Sequence, residues 1–364
     1  MIDDLFIIYE GGQLMYSWHA KKTKVDEDHM ISGFLTAIDT FAKSQRGEGI
    51  SSLTLDKTSI IFDKDEDIMV QYVITTSYET KKILYYFLND IKERFTALYR
   101  DTLLRGYTGN TSIFDNFTKE VNKILYSWGL DSINSYIEEV EARGALKSVI
   151  YIDPKDGSIL FINAKKFVDK DKMSYIVPLI INSGNLFIKN NLQEDLNWIL
   201  LNTIRNDNLL LISRKNVSIV REYVLTKNIE AEISNINFIV KNEKIIKKQK
   251  HINHLFEKLE IRKEVKQLYL ADNGGDILFK MKNNGQVNMA NYIPELISFL
   301  TSSKKSIDEL YNRKLFYTTL GGSKTAVIIL DFGKSGLILL GSVRDFSNYK
   351  TIQELCFSFI HQLT

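Results

Sequence analysis

Cysteine is nearly absent from this chain of 364 residues, where Cys356 stands alone. A single thiol cannot close an intrachain disulfide, and it removes every cysteine-based metal site. A reducing, intracellular compartment is the expectation. Proline occurs three times and no Gly/Ser-rich or low-complexity linker interrupts the chain, so its parts should pack closely rather than hang on tethers. No apolar run approaches the roughly 20 residues that span a bilayer. The start, Met1-Ile2-Asp3-Asp4, lacks the basic and apolar regions of a secretory signal. A cytoplasmic location is expected, with peripheral contact at a membrane left open. Charge of one sign is also missing, since 47 basic and 45 acidic side chains leave a net charge of +2. That balance gives no general drive toward nucleic acid, and the scattered aromatics offer no base-stacking platform.

The chain does have repetition. Leu5-Phe6-Ile7-Ile8-Tyr9 runs through Gly11-Gly12 into Leu14-Met15-Tyr16. Val149-Ile150-Tyr151-Ile152 passes Gly157 into Ile159-Leu160-Phe161, and Leu268-Tyr269-Leu270 passes Gly274-Gly275 into Ile277-Leu278-Phe279. Each reads as strand, Gly-bearing turn and strand, a β-hairpin. The copies begin about 120 to 145 residues apart, a domain length rather than a solenoid period.

The segments after each hairpin are also similar. In residues 28–41, Ile31, Phe34, Leu35, Ile38 and Phe41 recur at three and four, which predicts a helix with one buried face. Strands are expected over 50–55, 59–63 and 67–75, with Asp63 to Glu66 as a charged turn. A long helix carrying Leu84, Phe87, Ile91, Phe95 and Leu98 and a shorter one carrying Phe114, Phe117, Val121, Ile124 and Leu125 come next. The second copy adds a leading helix over 130–143 closed by Gly144, a central helix over 172–181, and strands over 197–204, 209–213 and 217–225. A helix with Ile229, Ile233, Ile236 and Val240 ends it. The third has a helix over 251–259, another over 288–300, strands over 314–320, 326–331 and 336–343, and a last helix over 349–362 that buries Cys356. Met173 and Pro178 match Met289 and Pro294 in spacing, which places a proline inside both central helices.

Residues 1 to about 128 resemble a longin domain, in the hairpin from Leu5 to Trp18, the strand Asp67 to Val73 and the two closing helices. Residues from about 251 to 364 are similar to the Roadblock variant, and the middle stretch fits either type. The resemblance implies an α+β chain of three α/β/α modules (1–128, 129–250 and 251–364), each a profilin-like sandwich with a five-stranded antiparallel sheet. It further implies a non-catalytic scaffold or regulator of a small Ras-like GTPase, like the tri-longin exchange factors of vesicle trafficking. Such proteins work with another longin or Roadblock protein, as a homodimer or heterodimer. An adaptor or coat-like subunit that touches no GTPase is the alternative, and an enzyme or small-ligand sensor is a third class. No cofactor is expected.

The residues themselves offer little chemistry. Gly321-Gly322-Ser323-Lys324-Thr325 has glycines before Lys-Thr, but a phosphate loop needs Gly-Lys at a strand-to-helix junction and here two strands flank the segment, so it reads as a hairpin turn. His251 and His254 share a helix face with Glu257 but lack a further ligand, so no metal site is assigned. No nucleophile and base stand together in the pattern. Between Lys241 and Lys263, eight basic residues, Lys247 and Lys248 among them, outweigh three acidic ones. That run suits either acidic lipid and protein surfaces or a solvated connector. The second strand of each hairpin should lie at a sheet edge, where another sheet can pair. Trp18, Ile159, Phe161, Ile277 and Phe279 are the candidate partner residues there, with Trp18 as anchor. The resemblance adds Phe34 and Ile38 on the helix beside the first hairpin.

Overall fold

The computed structural model describes residues 2–20, 27–77, 81–128, 146–165, 167–203, 207–224, 265–280, 288–331 and 337–344. The chain divides into two compact units, Met1–Ala142 and Arg143–Thr364. Both are mixed α+β, with an antiparallel sheet of five strands in the first and of ten in the second. Among the described residues, no helix is long and apolar enough to cross a membrane.

In the first unit, β1 (Asp4–Tyr9) and β2 (Gln13–His19) form the hairpin and α1 (Asp28–Arg46) comes next. Then come β3 (Ser52–Thr54), β4 (Ser59–Asp65), β5 (Val70–Thr76), α2 (Lys81–Leu104) and α3 (Phe117–Ser127). The sheet runs β2-β1-β5-β4-β3. Alternation along the strands divides the core between its two faces. Phe6, Ile8, Phe62 and Val73 gather with Leu35 of α1, while Tyr72 meets Phe95 of α2 edge-on and Tyr16 meets Phe117 of α3.

Three expectations need correction here. The strand expected over 50–55 is only Ser52–Thr54, and β4 continues through the segment expected as a turn, to Asp65. Its polar residues have partners, which lets the ladder extend: Lys92 donates to Asp63, Lys64 pairs with Asp39, and Thr96 donates to Asp65. The third correction concerns α1. Leu35 is buried, but the other buried positions are Asp28, Ser32 and Asp39, and Phe34 and Phe41 lie in solvent. The hairpin turn is the cause. Gly12 sits close enough that an added Cβ would touch Thr36 Oγ1 at 3.3 Å, and Ser32 Oγ donates to the Gly12 carbonyl at 3.1 Å. Small and polar side chains therefore occupy the inner side of the helix.

The first turn of α1 is tied to β2 through Asp28, whose Oδ2 accepts from Ser17 Oγ at 2.7 Å and lies 2.9 Å from His19 Nε2. His19 Nδ1 lies 2.8 Å from Asp4. Burial disfavours the imidazolium, but hydrogen bonds and charge from Asp4 and Asp28 outweigh it and raise the His19 pKa above 6.5. A raised folded-state pKa stabilises most below the unfolded value, and that contribution is lost as pH rises through the folded one. Urea midpoints should therefore fall as pH climbs above 6.5 in the wild type, more than in His19→Gln. Parallel pH curves for the two proteins would count against this clamp.

The second unit has ten strands and two described helices. β6 (Leu146–Ile152) and β7 (Ile159–Ala164) form its first hairpin, and α4 (Lys170–Phe187) is prolonged by a π turn, Ile188–Leu192. The strands β8 (Trp198–Thr203), β9 (Asp207–Ser213) and β10 (Ser218–Val224) complete this half. The other half has β11 (Val265–Asp272), β12 (Ile277–Lys280), α5 (Ile293–Tyr311), β13 (Leu315–Gly321), β14 (Thr325–Asp331) and β15 (Leu337–Arg344). The sheet order β12-β11-β15-β14-β13-β8-β9-β10-β6-β7 is the first unit's order written twice, joined where β13 meets β8. One core, with Ile180 and Ile199 on one side and Leu300 and Leu320 on the other, crosses that join without a break.

The three hairpins agree in detail. Each has a register shift at the same point, between Ile7 and Ile8, Tyr151 and Ile152, and Leu270 and Ala271, which is a β-bulge. Each turn carries glycine at positive φ, at Gly12, Gly157 and Gly275, packed against the next helix in the chain. The prolines differ from expectation. Pro178 lies inside α4, whereas Pro294 is in the first turn of α5 after a 3-10 turn, Met289–Tyr292. A proline costs little in a first turn, because that position has no intrahelical N–H bond to lose.

Candidate functional site

The join between β8 and β13 is the most developed site in the second unit. Leu200 faces Thr319, with Ile199 against Leu320 and Leu201 against Thr318 on either side, so the two strands meet as antiparallel equivalents. Above them α4 and α5 run in opposite directions. Asn191 Nδ2 donates to Glu295 Oε2 at 2.7 Å at one end, and at the other Lys172 Nζ donates to the Glu309 carbonyl at 3.2 Å and Tyr175 to the Glu309 carboxylate. Gly184 lets α4 settle here, since a Cβ would lie 2.8 Å from Ile199 Cδ1 and 3.1 Å from Leu320 Cδ2.

Two clasps secure the ends of the join. The π turn ends at Gln193 and α5 ends at Asn312, both left-handed, and the next residue in each case reaches the opposite half. Glu194 Oε2 accepts the backbone N–H groups of Lys324 and Thr325 at 2.7 and 3.0 Å. Arg313 instead pairs with Asp207, which also takes Lys147 Nζ at 2.5 Å. The Gly-Gly-Ser-Lys-Thr turn is therefore a nest of N–H groups that holds an anion, and that anion is the chain's own carboxylate. Beside it the Asn197 N–H donates to the Gly321 carbonyl at 2.8 Å, and the Trp198 indole covers Gly321.

On the outer side of this helix pair, the exposed large apolar side chains lie on α4. Leu179 and Leu186 are each 61% exposed and Tyr175 joins them along α4. A groove of about 380 Å³ between the helices is lined by Leu186, Phe187 and Phe299 together with the polar Ser183, Asn190, Glu295, Ser298 and Ser302.

In the first unit, a cleft of about 240 Å³ beside the hairpin turn contains Asp39, Lys43, Lys64 and Glu66. Burial raises the Asp39 carboxyl, but hydrogen bonds from Lys64 and the Ile50 N–H bring it below its ordinary value. Its charges are matched among themselves: Lys64 pairs with Asp39, and Lys43 lies 3.7 Å from Glu66.

The expected partner residues are spread over three sheet ends and one helix. β2 ends the first sheet, and β7 and β12 end the ten-stranded one. Trp18 is half-buried opposite Leu5, Ile159 packs partly on the core, and Phe161 lies beside the Tyr151 ring. Ile277 is exposed and Phe279 half-buried. Phe34 and Ile38 share the outer side of α1 with Met30 and Phe41, with Ile38 half-buried. Lys247, Lys248, His251, His254 and Cys356 lie outside the described residues. The sequence reading missed the Trp198–Gly321 contact and the clasps, although a charged residue after each helix end was a visible signal.

No family model and no curated protein matches the chain. Among solved structures it aligns with the extracellular domain of the putative histidine kinase vpHK1S-Z8, at 12% identity over 72% of this chain and 92% of that one. The TM-score of 0.14 is too low to carry an argument about fold or function.

Proposed function

We propose that this chain is a non-catalytic scaffold or regulator of a small Ras-like GTPase, built from three longin or Roadblock-like modules over 1–128, 129–250 and 251–364. The observation that carries the reading is the strand order 2-1-5-4-3 found three times, each with a bulged hairpin and a helix between its second and third strands. The paired helices α4 and α5, with Leu179, Leu186 and the groove between them, are the docking surface assigned to the GTPase. An open, helix-lined groove where Leu186 stands among Ser183, Asn190, Glu295, Ser298 and Ser302 suits a protein surface better than it suits a small substrate, whose pockets are mostly apolar. Nucleotide exchange, acting with a longin or Roadblock partner in trafficking-type machinery at a cytoplasmic membrane surface, is the regulatory form of this proposal.

The test is binding and nucleotide release with the small GTPases of the source cell. Wild-type chain should retain at least one of them, and Leu179→Glu with Leu186→Glu should lower that binding tenfold or more without changing the circular dichroism. Failure to bind any GTPase in either nucleotide state removes the reading. Co-purification with large helical-repeat subunits alone would point instead to the adaptor role.

A further inference from the structure

The first unit has a donor that its own fold leaves unused. Gln71 is buried on β5, and its Nε2 has no hydrogen-bond partner among the described residues. The residue lies in a row across the sheet, with Ile8 facing it from β1 and Lys64 from β4. Alternation from Phe6, Phe62 and Val73 puts all three on the side that α1 covers. A buried amide N–H without a partner carries a desolvation cost that a bound acceptor removes. The cleft of about 240 Å³ beside the hairpin turn is where that acceptor fits, since Gln71, Lys43 and Lys64 all line it.

A second donor stands over the same space. Lys43 Nζ lies 4.0 Å from Asp39 Oδ2 and 3.7 Å from Glu66 Oε1, near both carboxylates but beyond hydrogen-bond reach of either. Asp39 gives Oδ2 to Lys64, and its Oδ1 accepts from the Ile50 N–H at 2.9 Å. Burial lowers the Lys64 pKa, Asp39 offsets part of that, and Lys43 adds to it. An arriving carboxylate therefore meets two ammonium groups held close together, with the Gln71 amide beside them.

The rest of the lining excludes a simple anion. Glu10, Asp39, Asp65 and Glu66 set four carboxylates against two lysines, so a ligand with negative charge alone is repelled. Glu10 is exposed at the start of the hairpin turn and Glu66 is exposed in the turn between β4 and β5, and either can take an ammonium group. Met69 completes the rim. It holds φ +56°, a left-handed backbone that glycine adopts more readily, and it is more than half exposed beside the cleft.

We propose that this cleft binds a small zwitterion of the free amino acid class. Its carboxylate accepts from Lys43 Nζ and Gln71 Nε2, and its ammonium group faces Glu10 and Glu66. The volume sets the size, because pockets for drug-sized ligands run to roughly 300–1,000 Å³ and this one is smaller. A single amino acid with a short side chain against Met69 suits it. Binding here needs neither a GTPase nor the groove between α4 and α5.

Isothermal titration calorimetry of the full chain with each proteinogenic amino acid tests this. At least one should bind saturably and raise the melting temperature as its concentration rises past its dissociation constant. Its amide, which has lost the carboxylate, and its N-acetyl derivative, which has lost the ammonium group, should each bind at least tenfold more weakly. Lys43→Met should weaken binding at least tenfold with the ligand-free melting temperature unchanged, since the side chain is 44% exposed and hydrogen-bonds to neither carboxylate. Gln71→Leu should weaken it as much, while the ligand-free chain melts at the same or a higher temperature because a buried, unpartnered amide is gone. Should Gln71→Leu fail to fold, Lys43→Met decides alone, and unchanged affinity there overturns the assignment. So does the absence of binding by every amino acid, or an N-acetyl derivative that binds as well as its parent.

Discussion

Gly321→Ala is expected to destabilise the second unit by about 3 kcal/mol, near the upper end of what overpacking costs. Gly321 pairs directly with Trp198 across the join, and a Cβ there would lie 2.1 Å from Trp198 Cε2 and 2.5 Å from Nε1. The obstacle is a rigid indole that is itself buried, so relief needs the ring to leave its place or the strands to part. Either movement also disturbs the Asn197 hydrogen bonds to Gly321 and Gly322, at 2.8 and 3.2 Å, and the neighbouring Glu194 clasp. An aromatic laid over a strand glycine is a known device for fixing register. Urea unfolding followed by tryptophan fluorescence measures the loss, and the double mutant with Trp198→Ala should be less unstable than the two single changes added together. Additive losses, or an alanine that costs under ~0.5 kcal/mol, would show that the indole does not hold the join. Because α4 and α5 are positioned by the same join, partner binding at their groove should fall with it.

The contrast between the legible and the hidden features comes from range. The hairpins could be read because alternation, a glycine and a second alternating run lie within about fifteen residues. Their edge positions came from the fold that the resemblance implies. The outer face of α1 was misread because periodicity reports which residues share a side, not which side meets the sheet. Here the side with Ser32, Leu35, Thr36 and Asp39 meets the sheet and hairpin turn, and the one with Phe34 and Phe41 does not. The join between β8 and β13 could not be foreseen, since both strands are buried along their whole length, polar residues included, and nothing in either marks its neighbour. The Gly-Gly-Ser-Lys-Thr turn shows the same limit. Its hairpin turn was readable locally, but the carboxylate it holds comes from a residue 130 positions away.

Gly157→Ala should produce a loss of about 3–4 kcal/mol, from two sources that can be separated. Gly157 has φ +75°, a left-handed conformation that costs an L-residue roughly 1–2 kcal/mol. An added Cβ would also lie 2.2 Å from the Ser174 carbonyl oxygen of α4. That carbonyl is exposed to the turn for a reason written in the sequence. It lies four residues before Pro178, which has no N–H to offer it. The turn's backbone can come this close only because glycine has no side chain, and a weak Cα–H···O contact is then available. Two other turn glycines isolate the terms. Gly11 has φ +78° with nothing within 4 Å of an added Cβ, and Gly275 has φ +94° with its nearest neighbour, Pro294 Cγ, at 3.7 Å. Alanine at either should cost only the conformational share, about 1 kcal/mol. Equal losses at Gly11, Gly157 and Gly275 would mean that conformation alone matters and that the turn does not lean on the proline-freed carbonyl. A markedly larger loss at Gly157 would make that hairpin the fixed point from which α4, and with it the groove and the join, is hung.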